Sequence, residues 1–376
     1  MRVLEIVNSV PGETFIREHA QAIVSHTDIE LMWGAWQTTS TGNLPSPVAG
    51  LKTVEALPNY NRMKVGGKLR QKVSYFLKKF KNPSPQDIVR ETVAKFQPDL
   101  IHFQFASLAA QHHQWASDLS IPYTFSVRGS DVQVEPLNNP LYLKSLISAA
   151  NHAAGIHLVC GQLGKLLEGY AGKTLPMSVV RTSLNPAWEK VARKPVDGKI
   201  VSVGRLHWRK DFPTLVLAAK KLKEVGKQFE IHIFGDGPAQ EQLEFMIRSM
   251  ELEDFVLLRG KITHEALKKE FESASIYVQT SIAEGFPNAV GEAMLANIPV
   301  VSTICGGVDE VLTHRRNAML ALPGQAKEIA QHIAYLMDNP DFCIEISQSA
   351  NKSALEHFNS RKHARKFELF WKKALS

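Results

Sequence analysis

Short apolar runs rich in β-branched residues recur along the chain. Between them lie longer stretches in which apolar positions return every three or four residues. The runs fall at 3–8, 30–34, 100–105, 123–127, 156–160 and 178–181, then at 200–203, 229–235, 255–258, 276–279 and 300–303. Helical spacing marks 214–225, 240–250, 265–273 and a basic stretch at 361–375. Strands alternating with helices of this length predict parallel sheets covered by helices on both faces. The scheme runs once, pauses over a polar stretch at 186–198 that holds Pro186, Pro195 and Gly198, and then repeats. Two doubly wound halves joined by a hinge follow from that pattern.

Composition narrows the class. The chain has 376 residues, 44% hydrophobic and 22% charged, enough to bury a core in each half. Cys160, Cys305 and Cys343 are scattered and odd in number, which fits a reducing compartment and neither a disulfide framework nor a zinc spacing. Glu5 interrupts the first apolar run, so no signal-peptide core is expected, and no run is long enough for a membrane span. The expectation is a cytoplasmic protein.

The net charge of +7 is concentrated. Residues 61–81 carry Arg62, Lys64, Lys68, Arg70, Lys72, Lys78, Lys79 and Lys81 with no acid, while Val65, Leu69, Val73, Phe76, Leu77 and Phe80 share a helical face. Such a segment is either a core-packed helix with a basic solvent face or a helix that docks on an anionic membrane surface. Nucleic acid is the weaker partner, since nothing else resembles a nucleic-acid module.

Open parallel sheets bind ligands beyond the carboxyl ends of their strands, so the loops there matter most. Four stand out. In Gly204-Arg205-Leu206-His207-Trp208-Arg209-Lys210-Asp211, Arg205 and Lys210 straddle a strand-to-helix loop and suit one anionic group. The alternative is a solvated loop whose charges do little. Gly235-Asp236-Gly237-Pro238 fits an ordinary tight turn and lacks the third glycine of a dinucleotide fingerprint. At Glu284-Gly285 the chain turns and starts a helix near Pro287, whose first N–H groups attract an anion. Glu292 falls in its second turn among small apolar residues, where it needs either a local partner or sugar hydroxyl donors. Gly306-Gly307, ahead of Glu310, makes either an anion site or a plain turn. Together these groups suit a ligand with a diphosphate at one end and vicinal hydroxyls at the other, as in a nucleotide-sugar.

The strings Gly204-Arg205-Leu206 with Lys210-Asp211, Gly235-Asp236-Gly237-Pro238, Glu284-Gly285-Phe286-Pro287 with Glu292-Ala293-Met294, Pro299-Val300-Val301, and Gly306-Gly307 with Glu310 resemble, in order and spacing, the signature of glycosyltransferase family 4. The resemblance covers roughly residues 199–340. It implies an α/β protein of the GT-B fold, two Rossmann-like doubly wound parallel-sheet domains facing across a cleft, and retaining transfer with no metal and no cofactor besides a UDP- or GDP-sugar as substrate. The domains would be 1–182 for the acceptor, a linker at 183–198, 199–355 for the donor, and a helix at 356–376 that crosses back to the first domain. Closure about the linker would then complete the site and exclude water. Arg205 and Lys210 are assigned to the donor diphosphate, Glu292 to the ribose hydroxyls and Glu284 to the region of the transferred sugar. Gly204, Gly235, Gly237, Lys261, Gly285, Phe286, Pro287 and Asn288 line the donor.

The first half matches more loosely. Gly12-Glu13-Thr14-Phe15-Ile16 resembles the Ser-Glu-Thr-Phe-Ile loop of a branch common in surface-polysaccharide synthesis, with Gly12 on the donor and Glu13 and Thr14 on the acceptor side. Arg128-Gly129-Ser130-Asp131 stands where many members have His-Gly-x-Asp, so Arg128 replaces the histidine near the transferred sugar; Arg128 and Asp131 face the acceptor. An arginine can hold a sugar hydroxyl or an acidic sugar but cannot act as a base. His102, His112 and His113 read as structural or surface residues.

The expected function is a retaining transferase that acts on a glycan or lipid-linked acceptor in exopolysaccharide or lipopolysaccharide synthesis at the inner face of the membrane. Glu284, Arg205, Lys210 and Arg128 form its catalytic set. A nucleotide-sugar epimerase of the same architecture and a non-catalytic nucleotide-sugar binding protein are the alternatives. No carboxylate stands out as a nucleophile, so the leaving phosphate itself is expected to take the acceptor's proton on the same face.

Overall fold

The computed structural model describes residues 1–10, 14–38, 52–53 and 93–376. Gly12, Glu13 and the basic segment 61–81 lie outside the described residues, as does most of the loop at 37–50. The first sheet contains β1 (Arg2–Val10), β2 (Glu30–Thr38), β3 (Lys52–Thr53), β4 (Leu100–Phe103), β5 (Tyr123–Val127), β6 (Gly155–Leu158) and β7 (Met177–Val179), in the order β3-β2-β1-β4-β5-β6-β7. The second contains β8 (Lys199–Val203), β9 (Glu230–Phe234), β10 (Val256–Gly260), β11 (Ile276–Gln279), β12 (Val300–Thr303) and β13 (Met319–Ala321), in the order β10-β9-β8-β11-β12-β13. Neighbouring strands in both sheets run parallel. Strand order reverses between β1 and β4 and between β8 and β11, which opens a crevice at each carboxyl edge.

The local sequence explains these elements. Every residue of β4, β5, β6, β11 and β12 is buried, as expected of parallel strands covered on both faces. The helix Phe212–Glu224 buries Phe212, Leu215, Val216, Ala219 and Leu222, a three-four stripe, with Pro213 in its first turn. Strand β13 is too short to leave a pattern, and it and the helices Ala326–Asp338 and Pro340–His357 were not among the expected elements.

Two regions join the halves. The helix Ser360–Leu375 is capped by Asn359, whose side chain accepts from the Lys362 N–H over 3.0 Å. It buries His363, Ala364, Phe367, Phe370 and Trp371 against the first sheet and the helix Thr14–His26. The polar stretch expected as a hinge packs along the second half. Trp188 is fully buried against Phe271, and the Lys194 and Val196 N–H groups donate to the Glu272 and Ser273 carbonyls over 2.7 and 2.9 Å. A single buried Trp in a polar, proline-containing segment hides this anchoring from a composition argument.

Candidate functional site

The reversal in the second sheet sets the loops after β8 and β11 side by side. The Ile282 N–H donates to the Arg209 carbonyl over 2.8 Å, and Thr280 Oγ1 donates to the Lys210 carbonyl over 3.0 Å. Lys210 Nζ then lies 2.6 Å from Glu284 Oε1, with the two side chains 21% and 18% exposed, so water screens the pair only in part. A chain of side chains along β11 sets Glu284 from behind. The Tyr277 hydroxyl donates to Gln279 Oε1 over 2.9 Å, Gln279 Nε2 donates to Ser281 Oγ, and Ser281 Oγ donates to Glu284 Oε1 over 3.0 Å. An oxygen that takes a hydroxyl and an ammonium together is fixed in place.

Gly285 is where the halves meet. A Cβ there would sit 2.1 Å from the Arg128 carbonyl oxygen, so no larger residue fits. Gln133 Nε2 donates to the Glu284 carbonyl from the same side over 3.1 Å.

Glu292, on the helix Asn288–Leu295, is 6% exposed. Burial, reinforced by Glu18 and opposed by Lys268, pushes its carboxyl up to about 8. Glu18 reaches this place from the helix Thr14–His26; burial lifts it to about 7 against Arg17, Lys268 and the Asn185 N–H. His264 Nδ1 is 4.0 Å from Glu292 Oε1, beyond hydrogen-bond range. A buried carboxyl of this kind can exchange its proton for hydroxyl donors from a ligand.

The remaining expected residues divide into rim, packing and core. Arg205 is exposed at the mouth beside Gly204. A Cβ on Gly235 would meet the Gly204 carbonyl oxygen at 1.9 Å, so this turn seats the loop after β9 on the loop after β8; Gly237 does the same against Leu206. Lys261 Nζ pairs with Asp236 Oδ2 at 3.0 Å on the exposed rim. Phe286, half-buried, packs on Phe358 with ring centroids 4.9 Å apart. Pro287 is buried and Asn288 opens the helix.

On the facing wall, Arg128 Nε donates to the Gln104 carbonyl over 2.9 Å and Nη2 donates to Gln104 Oε1, while the guanidinium lies 4.6 Å from the Phe15 ring centre. Thr14 opens the helix that carries Phe15. Asp131 is 5% exposed and its carboxylate accepts from the Arg128 and Gly129 N–H groups over 3.0 and 2.8 Å. These bonds fold the turn that carries Arg128. His102 is buried between Thr124 and Ser126, and His113 is held by the Ala109 carbonyl and Ser148. Both are structural.

Sequence reasoning missed Glu18, Gln104, Gln133 and the Tyr277–Gln279–Ser281 chain. The one signal for the last was a polar run, Gln279-Thr280-Ser281, closing an apolar strand. Among the described residues, no group of three or more His, Cys, Asp or Glu is placed to hold a metal ion, and no helix is long and apolar enough to cross a membrane.

Comparison with known proteins places this geometry. Residues 186–353, short of half the chain, match the family model described as glycosyl transferases group 1. That span contains the Lys210 and Glu284 loops and the helix that carries Glu292. WcaL of Escherichia coli (strain K12), named for colanic acid biosynthesis, is 33% identical over 165 residues, covering 42% of this chain and 40% of WcaL. TuaC of Bacillus subtilis (strain 168), named for teichuronic acid biosynthesis, is 26% identical over 71% of this chain and 69% of its own. The structure of HepE from Anabaena with UDP aligns over 99% of this chain and 100% of HepE, with TM-score 0.77 at 17% identity. HepE has also been solved with UDP-glucose. The fold is GT-B, two parallel-sheet domains that face each other across a cleft.

Proposed function

We propose that the protein is a retaining glycosyltransferase that moves a sugar from a nucleoside diphosphate sugar to a glycan or lipid-linked acceptor in the building of a cell-surface polysaccharide. One observation carries the reading: the Lys210–Glu284 pair lies at the strand-order reversal of the second sheet, in the same domain as the buried carboxyl of Glu292. The names of WcaL and TuaC supply the polysaccharide context, and HepE's complexes supply UDP and UDP-glucose as the ligands to try first.

On this reading the diphosphate lies against Lys210, Arg205 and the first N–H groups of the helix Asn288–Leu295, which stabilise the charge that develops as the anomeric C–O bond breaks. Glu292 accepts from the ribose hydroxyls. Glu284, its Oε1 engaged by Lys210 and Ser281, is a poor nucleophile and better suited to orienting the transferred sugar. The leaving phosphate then takes the acceptor's proton on the face it departs from. A covalent sugar trapped on Glu284 and seen by intact-protein mass spectrometry would replace that mechanism with a double displacement.

Thermal-shift measurement against UDP, GDP, ADP and CMP tests the donor site. One nucleoside diphosphate should stabilise the parent by roughly 2.7 kcal/mol at 100 times its Kd and leave Lys210→Ala and Glu292→Ala unmoved. If none does, the donor site is not in this cleft. Residues 61–81 are proposed to bring the protein to an anionic membrane. Equal sedimentation with neutral and anionic liposomes would remove that part.

A further inference from the structure

A second contact between the halves lies away from the donor loops. The helix Gly161–Ala171 opens behind Cys160, whose side chain makes no cap. Its first N–H groups are met from the other half: Glu310 Oε1 accepts from Gly161 over 2.7 Å and from Gln162 over 3.3 Å. Glu310 Oε2 accepts from Arg181 Nη2 over 2.9 Å. One carboxylate thereby holds a helix N-terminus and a guanidinium, the two partners an anion favours most. The side chains of Arg181 and Glu310 are 18% and 26% exposed, so the pair is only partly screened.

Glu310 belongs to the turn that begins at Gly306. The Gly307 N–H donates to the Gly285 carbonyl over 2.7 Å, and a Cβ on Gly306, whose φ is 57°, would lie 2.1 Å from the Glu284 carbonyl oxygen. On its other side Glu284–Gly285 meets Arg128 and Gln133. The segment carrying Glu284 is therefore held between the Gly306–Gly307 turn and the Arg128 turn, and Glu310 fastens the first of these to the half that owns the second. The Arg181 carbonyl also accepts from His363 Nδ1 over 2.8 Å, which ties the fastening point to the last helix.

We propose that Glu310 is a positioning residue that clasps Gly161 and Arg181 and so holds the Arg128 turn against Glu284–Gly285. On the function proposed above, this is where the sugar is transferred. Glu310 touches neither substrate; its effect is to keep the two walls together.

Hydrogen exchange read by mass spectrometry, with X-ray scattering, tests this on the full chain, without ligand and with UDP. Glu310→Ala should raise exchange about tenfold at 161–163 and also at 128–133 and 281–287, and should enlarge the radius of gyration. Glu310→Gln, whose amide oxygen still accepts from Gly161, should give a smaller rise. Arg181→Met reaches the same contact from the other side and should reproduce the pattern even if Glu310→Ala fails to fold. Faster exchange confined to 161–163, with unchanged scattering, would reduce Glu310 to a helix cap and overturn the proposal. If UDP alters nothing in the parent protein, the functional reading fails, yet the three-segment comparison still decides the clasp.

Discussion

Each half buries a cluster of charged and polar side chains, and the two are finished differently. In the first, Glu5 is fully buried and accepts from Trp33 Nε1, His19 Nε2 and Gln104 Nε2 over 2.8, 2.6 and 2.7 Å. His19 Nδ1 meets His363 Nε2 at 2.8 Å, and His363 Nδ1 donates to the Arg181 carbonyl. Each of these side chains finds its partners inside the cluster, so the cluster is closed. In the second half Glu292 has His264 at 4.0 Å and a carboxyl raised by burial. A saturated cluster is architecture, whereas a buried carboxyl left short of donors is a place for a ligand.

Breaking the closed cluster should cost most. Glu5→Ala strips an acceptor from Trp33, His19 and Gln104 at once, and each buried donor left unpaired costs about 1–3 kcal/mol. Urea unfolding should show that loss; a change near zero would mean the cluster is not saturated. Next comes the open site. Lys210→Ala should lower kcat/KM for sugar transfer by about a hundredfold. It should change folding stability by no more than about 1 kcal/mol, because the pair is partly exposed. Equal rates in mutant and parent would move the diphosphate elsewhere.

The same contrast explains what was legible in sequence. The open site lies in loops directly after strands, where glycines and charges interrupt apolar runs, so Lys210, Glu284 and Glu292 announce themselves. The closed cluster does not. Glu5, His19, Gln104 and His363 are scattered over three elements and the loop after β4, and each reads alone as an unremarkable polar residue. Only the pairing of β1 with β4 and the packing of Ser360–Leu375 on the first sheet bring them together. The same limit holds for Phe286 and Asp131. Their motif placed them in the right loops but could not say that one ring packs on Phe358 or that one carboxylate folds its own turn.

The finest distinction between the clusters is protonic. The Glu292 carboxyl stands at about 8 in the folded protein against an ordinary 4.5, so between these values the folded chain holds a proton that the unfolded chain has released. That contribution to stability is full below pH 4.5 and is lost as pH rises toward 8. Glu18 acts in the same sense up to about 7. Without ligand, folding stability should therefore fall from about pH 6 to about pH 8.5, by at most about 1.4 kcal/mol per pH unit for each group, with Tm falling alongside it, and less steeply in Glu292→Gln. On the proposed function, ribose hydroxyls would donate to the ionised carboxylate, so UDP-glucose should expel the proton as it binds. Calorimetric titration near pH 7 in two buffers of different ionisation enthalpy should then give different heats for the parent and equal heats for Glu292→Gln. Equal heats for the parent would take Glu292 off the nucleotide and return it to the closed kind of cluster, leaving Lys210 and Arg205 to define the donor alone.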